Sequence, residues 1–430
     1  MSAGAAVRAL RVARLAGIFL AGQGIVRATQ FAFGFALVWL LPVEEYALYT
    51  AASALLAWMS LGSNFGISQA VLTRGARLTH DRTVLGTLFR TAAGMCRWLF
   101  AALAPAGLLL AWLMLAGYET PITGKIVIVA LIFLNVWLFI GVSLRRSILS
   151  IFHDARGLFT SGMAEGLARL GLLPLVALWP QALLVMGVNL AGMMAGSVAI
   201  RRRTAPLMSA DASADPAHRA AIRSFVVPLV PSVAYTAMQG HLSIFLLSLF
   251  GYTAAVAEVG ALGRLGQLVA LVAMLNPFLV QPLFGRLGSF GAFRKLVGLM
   301  LALLIAGSAA IVAAAYAAPR AWLFLLGAHY GHLERELPLA LAAAAATVVG
   351  ATLYTILISR SVTRGQTWIV APSLLGQAAF IAAHGVSSTY DALLLNLIHP
   401  LAHVSVQALL LLRMLRAGRL PSDGACASTS

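Results

Sequence analysis

Charged residues are scarce in this chain, at 10% of 430 residues, where soluble domains carry about a quarter. So few charges cannot cover a globule in water, which excludes soluble enzymes and nucleic-acid-binding proteins. Acidic residues are scarcer than basic ones, 13 against 30, and the formal net charge is +17. Lysine is nearly missing, since only Lys125 and Lys295 interrupt a set of 28 arginines. Cysteine is confined to Cys96, in an apolar stretch, and Cys426, in a polar tail. Two such positions can build neither a disulfide framework nor a metal quartet. Walker loops, glycine-rich nucleotide motifs and catalytic triads are also missing. The sequence therefore implies no cofactor, no metal, no catalytic residue and no ATP hydrolysis.

What is plentiful is apolar. Hydrophobic residues reach 61%, and the mean hydropathy is +0.91. A hydrocarbon core of ~30 Å needs about 20 apolar residues at a rise of about 1.5 Å each. Twelve stretches meet that length: 16–41, 47–67, 91–116, 124–144, 161–179, 182–200, 225–250, 254–284, 297–318, 337–359, 367–384 and 391–412. The chain reads as an all-α polytopic membrane protein with twelve transmembrane helices. The stretch 254–284 is long enough to be tilted or broken near Asn276-Pro277. Arg8, Arg11 and Arg14 precede a first apolar run too long for a signal-peptide core, so that run is expected to remain as a helix.

Cations orient the chain. With the N-terminus inside, 23 of the 30 fall on the cytoplasmic side, three (Lys125, Arg320 and Arg335) on the other, and four within spans. The same bias accounts for the high net charge without any nucleic acid. Both termini are expected in the cytoplasm. The largest non-membrane segment, 201–224, opens with Arg201-Arg202-Arg203 and divides the spans into two sixes. The expected organisation is an N-lobe over 1–200, a cytoplasmic linker over 201–224, a C-lobe over 225–412 and a cytoplasmic polar tail over 413–430. External segments are short, the longest being about 319–336, so none folds as a separate soluble domain.

At the start of the second span stands Leu41-Pro42-Val43-Glu44-Glu45-Tyr46-Ala47-Leu48-Tyr49, and at its end Gly66-Ile67-Ser68-Gln69-Ala70-Val71-Leu72-Thr73-Arg74. These resemble the L-x-x-E-[ED]-[YF]-G-x-Y and G-[IL]-x-x-A-[LV]-x-R patterns of polysaccharide transporters. That family includes the Wzx-type flippases of the multidrug/oligosaccharidyl-lipid/polysaccharide exporter superfamily. Ala47 departs from the usual glycine. Val256, Arg264 and Leu265 are similar to the family's V-G-x-Y-x-x-A-x-R-[LI] pattern, with departures at Ala257, Val259 and Leu262. The resemblance implies two six-helix lobes around a central cavity and outward movement of undecaprenyl-diphosphate-linked sugars. Independently of it, Tyr46-Ala47-Leu48-Tyr49 and Val256-Ala257-Glu258-Val259 stand 210 residues apart in corresponding places. Six spans per half make that a parallel repeat about an axis along the membrane normal.

Charges inside spans are the strongest pointers to a site, because each costs about 2.5–3.5 kcal/mol at a helix centre on insertion scales. Six qualify: Arg27, Arg97, Glu165, Arg169, Glu258 and Arg264. Arg27 is too deep to snorkel and shares a helix face with Gln23 and Gln30, either as cavity lining or as an interlobe hydrogen bond. Arg264 matches the family's arginine and lies near Glu258 and Gln267. Arg97 stands seven residues past Arg90, so it either snorkels or lines the cavity. Glu165 and Arg169, at i and i+4, form either a structural ion pair or a proton-coupling site. His241, with Gln239 and Ser243, lines the cavity or bonds a neighbouring helix. His399 and His403 are two ligands without a third, so they are read as packing residues rather than a metal pair.

Arginine suits a diphosphate because its planar guanidinium binds phosphate oxygens bidentately and keeps its charge in a low dielectric. The expected function is a flippase for lipid-linked oligosaccharide in a bacterial inner membrane. Its partners would be the polyprenyl-diphosphate-linked glycan, membrane lipids and other polysaccharide-assembly membrane proteins. A drug/cation antiporter of the same superfamily is the second reading, although four intramembrane arginines against two glutamates disfavour cationic cargo. A membrane-embedded O-antigen polymerase or ligase is the third, and the short external segments disfavour it.

Overall fold

The computed structural model describes residues 3–76, 78, 80–209, 213–360, 362 and 365–418. Expectations resting on Arg77, Asp211, Arg364, Arg419 and Cys426 lie outside the described residues, as does most of the polar tail. The protein is 86% helical, with no strand among the described residues. Internal contacts group it into two compact units, Met1–Ala257 and Glu258–Ser430.

The first unit begins with α1 (Ala3–Leu40), α2 (Val43–Asn64), α3 (Ile67–Gly75), α4 (Arg82–Leu115) and α5 (Ile122–Ile151). It continues through α6 (Ala155–Gly171), α7 (Leu173–Leu178), α8 (Ala182–Thr204), α9 (Pro216–Val226), α10 (Val230–Gln239) and α11 (Leu242–Leu249). The boundary falls within α12 (Thr253–Ala270), beyond the 201–224 segment, because α10 packs on α2 and α11 on α2 and α4. The second unit continues through α13 (Gln281–Gly285), α14 (Phe290–Ala317), α15 (Pro319–Phe324), α16 (Leu337–Ile358), α17 (Val370–His384) and α18 (Thr389–Arg416).

Among the described residues, eight helical stretches are long and apolar enough to cross a membrane, and nine if one bent pair counts as a span. The eight are Arg82–Leu115, Ile122–Ile151, Ala155–Leu178, Ala182–Leu207, Thr253–Leu275, Phe290–Ala317, Leu337–Ile358 and Thr389–Arg416. Each overlaps one of the twelve expected spans. The other four expected spans differ in build. The helices α1 and α2, of 38 and 22 residues, have the length to cross. The stretch 225–250 is divided among α9, α10 and α11, with a 54° bend between Pro216–Leu229 and Val233–Gln239. Pro228 and Pro231 lack backbone donors there, which breaks the helical ladder. The helix α17 has only 15 residues and follows a 3-10 turn, Gln366–Ile369. The expected break in 254–284 is present: α12 gives way to a 3-10 turn at Leu271–Leu275 and a π turn at Asn276–Val280.

Large apolar side chains lie open on the surface, among them Trp98 at 70%, Leu375 at 71% and Tyr316 at 72% exposure. Water would oppose such a surface, whereas lipid solvates it. With no hydrophobic effect to draw helices together in lipid, small residues provide close packing. Val26 of α1 packs on Gly162 of α6, Thr29 on Gly166, and Ser161 of α6 donates to the Gly196 carbonyl of α8 at 3.2 Å.

Gly350 of α16 is a strict case, since a Cβ there would stand 2.9 Å from Nδ1 of His403 on α18. Gly350→Ala is expected to lower stability by about 1–3 kcal/mol, the range for overpacking a filled site. Gly307→Ala, where nothing lies within 4 Å, is expected to be neutral or to stabilise its helix by about 0.5–1 kcal/mol. Thermal unfolding of the detergent-purified chain compares the two; equal effects would refute the packing argument.

Candidate functional site

The motif at the start of α2 has a structural task in the first unit. Glu45 Oε2 accepts from the Ala182 N–H at 2.7 Å, so a carboxylate from α2 caps the first turn of α8, 137 residues away. Tyr46 and Ala47 are fully buried behind it. The Ala47 carbonyl accepts from the Tyr118 hydroxyl at 3.4 Å, and burial pushes that phenol, in the turn after α4, up to about 12. At the far end, Phe65 and Gly66 take φ of 35° and 83°, the left-handed conformation that separates α2 from α3. The side chain of Asn64 bonds the Ser68 hydroxyl and backbone N–H, both at 2.9 Å, across that break. Glu45→Ala strands a helix-start donor and is expected to cost about 1–3 kcal/mol of stability. Glu45→Gln, which keeps an acceptor, should recover most of it, and heat denaturation of both variants measures the difference.

The most developed ionic site in this unit is built on Glu165 of α6. Its side chain is 7% exposed and pairs with Arg169 at 2.7 Å and with Arg146 of α5 at 2.9 Å. Gly192 and Gly196 of α8 make the room: a Cβ at Gly192 would stand 2.6 Å from Arg169 Cγ, and one at Gly196 3.2 Å from Glu165 Cβ. The i, i+4 pair expected from sequence is therefore formed, but as a triad with one carboxylate and two guanidiniums. The triad carries one uncompensated positive charge. Its outer member, Arg146, has a side chain 40% exposed, so it can reach a further anion.

Other cations lie near by. Arg145 stacks over Phe89 at 4.9 Å and donates to the Gly141 carbonyl at 3.3 Å. Arg97 is exposed, with its guanidinium 4.9 Å over the Trp137 ring. Arg145 and Arg146 directly follow the expected span 124–144, among the cations counted to the cytoplasmic side. They stand in the last two turns of α5, which runs unbroken to Ile151. Nothing in the local spacing of Arg146 points to Glu165, 19 residues on.

Arg27 is exposed on α1 and donates to Gln30 Oε1 at 3.2 Å, with Gln23 and Gln30 half-buried on the same helix. Two of the three polar residues expected to share a face are thus joined. His241 stands directly before α11, half-buried, with its ring 6.1 Å from that of Phe245.

In the second unit Arg264 is half-buried on α12. Glu258, near the start of α12, accepts from Thr389 at the head of α18 and meets His332 Nε2 at 2.9 Å. It therefore ties α12 to α18 and to the turn before α16. His399 and His403 stack at 6.2 Å, and His399 Nδ1 meets Ser373 Oγ of α17 at 3.3 Å, which matches packing residues. No group of three or more potential metal ligands occurs among the described residues.

No family model matches the chain, and no curated protein matches it. Solved structures do share its fold. An inward-facing multidrug resistance MATE family transporter of the MOP superfamily aligns with TM-score 0.65 and 14% identity, over 91% of this chain and 94% of that one. The lipid II flippase MurJ, in an inward closed conformation, aligns with TM-score 0.67 and 10% identity, over 94% and 88%. A MATE protein in complex with MaD3S aligns with TM-score 0.56 and 14% identity, over 95% and 96%. The chain has the fold shared by MATE transporters and the MurJ flippase, a multi-pass helical membrane architecture.

Proposed function

We propose that the chain is a flippase carrying a polyprenyl-diphosphate-linked oligosaccharide from the cytoplasmic to the outer leaflet of a bacterial inner membrane, for O-antigen or exopolysaccharide assembly. The observation that carries this reading is the charge inventory of the helices. Both intramembrane carboxylates are engaged, Glu165 by two guanidiniums and Glu258 by His332 and Thr389. The surplus is all guanidinium. A cation would find no free carboxylate at these two positions, whereas an anion would find arginine in excess.

Transport proceeds by alternating access, with the lobes 1–200 and 225–412 as moving parts and both termini cytoplasmic. Arg27, Arg97 and Arg264 contact the diphosphate, and Gln23, Gln30, Glu258 and His241 line its route. An inside-negative potential favours outward movement of an anion by about 2.3 kcal/mol per charge per 100 mV. No catalytic chemistry is required. The family motifs at Glu45 and Gly66 and the fold shared with a lipid II flippase support this assignment to the Wzx-type branch.

The fold shared with multidrug MATE transporters favours a second reading, export of an organic cation. The test is deletion of the gene in its own host. Lipid-linked sugar should then accumulate on the inner leaflet, and the cloned chain should restore export. Unchanged surface polysaccharide, together with ethidium extrusion by the purified chain in proteoliposomes, would replace the first reading with the second.

A further inference from the structure

The helix α9 is amphipathic, with Ile222 and Val226 buried against α3 and α4, and Arg219 and Arg223 exposed one turn apart. Both arginines border an apolar cavity of about 470 Å³ in the first unit, whose other walls include Phe65, Met95, Trp98 and Val230. Neither guanidinium has a hydrogen-bond or ion-pair partner among the described residues. The start of α9 is anchored, since the Asp215 N–H donates to Thr91 Oγ1 of α4 at 3.0 Å and the Asp215 carboxylate caps the helix. The cavity is therefore a built feature of α4 and α9 with two cations at its rim.

An apolar chamber beside two free cations is complementary to an amphiphile with an anionic head. The space is of the order of one acyl chain, and its walls are apolar except at the two guanidiniums. The pair of guanidiniums one helical turn apart fits a phosphodiester, which each can bind through parallel N–H donors.

We propose that this cavity binds an anionic bilayer phospholipid, with one acyl chain between α4 and α9 and the phosphate on Arg219 and Arg223. The ligand is a membrane component and not the transported cargo, so the site stands or falls independently of the flippase reading. Its place is the cytoplasmic leaflet, where anionic lipid attracts basic segments such as the one that follows Arg201-Arg202-Arg203.

Trp98, 70% exposed on the cavity wall, is the reporter. The full-length chain in detergent micelles is titrated with chain-brominated phosphatidylglycerol or chain-brominated phosphatidylcholine, and tryptophan quenching is followed. Phosphatidylglycerol should give a saturable component that is missing in Trp98→Phe and at least tenfold weaker with phosphatidylcholine. Arg219→Gln/Arg223→Gln should raise the half-saturating phosphatidylglycerol concentration at least tenfold. Both side chains are solvent-facing and unpaired, so the double variant is expected to fold, and an unchanged melting profile verifies this.

Equal quenching by the two lipids, or an unaffected double variant, overturns the proposal. Displacement by inorganic phosphate alone would make it a free-anion site, and displacement by undecaprenyl phosphate at lower concentrations than phosphatidylglycerol would make it a cargo site. Either result also overturns it.

Discussion

Glu165→Ala is expected to remove most of the folded protein from the membrane. Glu165 is the common partner of Arg146 and Arg169, and its removal leaves a guanidinium whose side chain is 16% exposed without a counter-charge. Breaking a buried pair in this way typically costs about 3–5 kcal/mol, a large part of the ~5–15 kcal/mol that stabilises most proteins. Arg169 suffers most, because its Nε is already buried without a partner and it is wedged against Gly192.

The control is a triple variant, Glu165→Leu with Arg146→Met and Arg169→Met, which replaces the triad by apolar groups of similar volume. Such replacements are often neutral or stabilising by about 1–4 kcal/mol, so the triple variant should regain the wild-type level. Membrane abundance and melting temperature in detergent measure both. A single variant as stable as wild type would refute the structural role of the pair. A triple variant that is stable but no longer exports sugar would assign the extra positive charge to cargo.

Arg27→Ala is expected to abolish lipid-linked sugar export while leaving protein abundance unchanged. Arg27 is exposed and bonds Gln30 on the same helix, so little folding energy depends on it. A hydrogen bond to a charged group is worth about 1.5–3 kcal/mol, which corresponds to a loss of about 10- to 150-fold per cycle. Arg27→Lys keeps the charge but loses bidentate geometry, and should retain partial export. The assay is surface polysaccharide in a complemented deletion strain, with protein level read from the same cells. Normal export by Arg27→Ala would remove this residue from the cargo path.

Glu45 and Glu165 show how legibility in sequence differs from meaning. Glu45 was recognisable as part of a motif, yet its work as the cap of α8 depends on a residue 137 positions away. Glu165 and Arg169 were readable as an i, i+4 pair because helical periodicity is local. Arg146 was not, because it reaches Glu165 across a helix interface. The same holds for the cavity beneath α9: Arg219 and Arg223 read as ordinary cytoplasmic cations until α4 and α9 enclose apolar space beside them. The break at Asn276-Pro277 was legible, since a proline that lacks an N–H disturbs its own helix wherever the helix packs.

Composition alone determined that this is a helical membrane protein. A chain with 10% charged residues and runs of about 20 apolar ones can satisfy its backbone in lipid only by coiling on itself. Local spacing likewise determined which charges would stand inside helices. Tertiary structure decided which of them are neutralised, which helices stop short or bend, and where two arginines face an apolar chamber. Those outcomes depend on contacts between residues far apart in the chain, and a linear pattern carries no distance between helices.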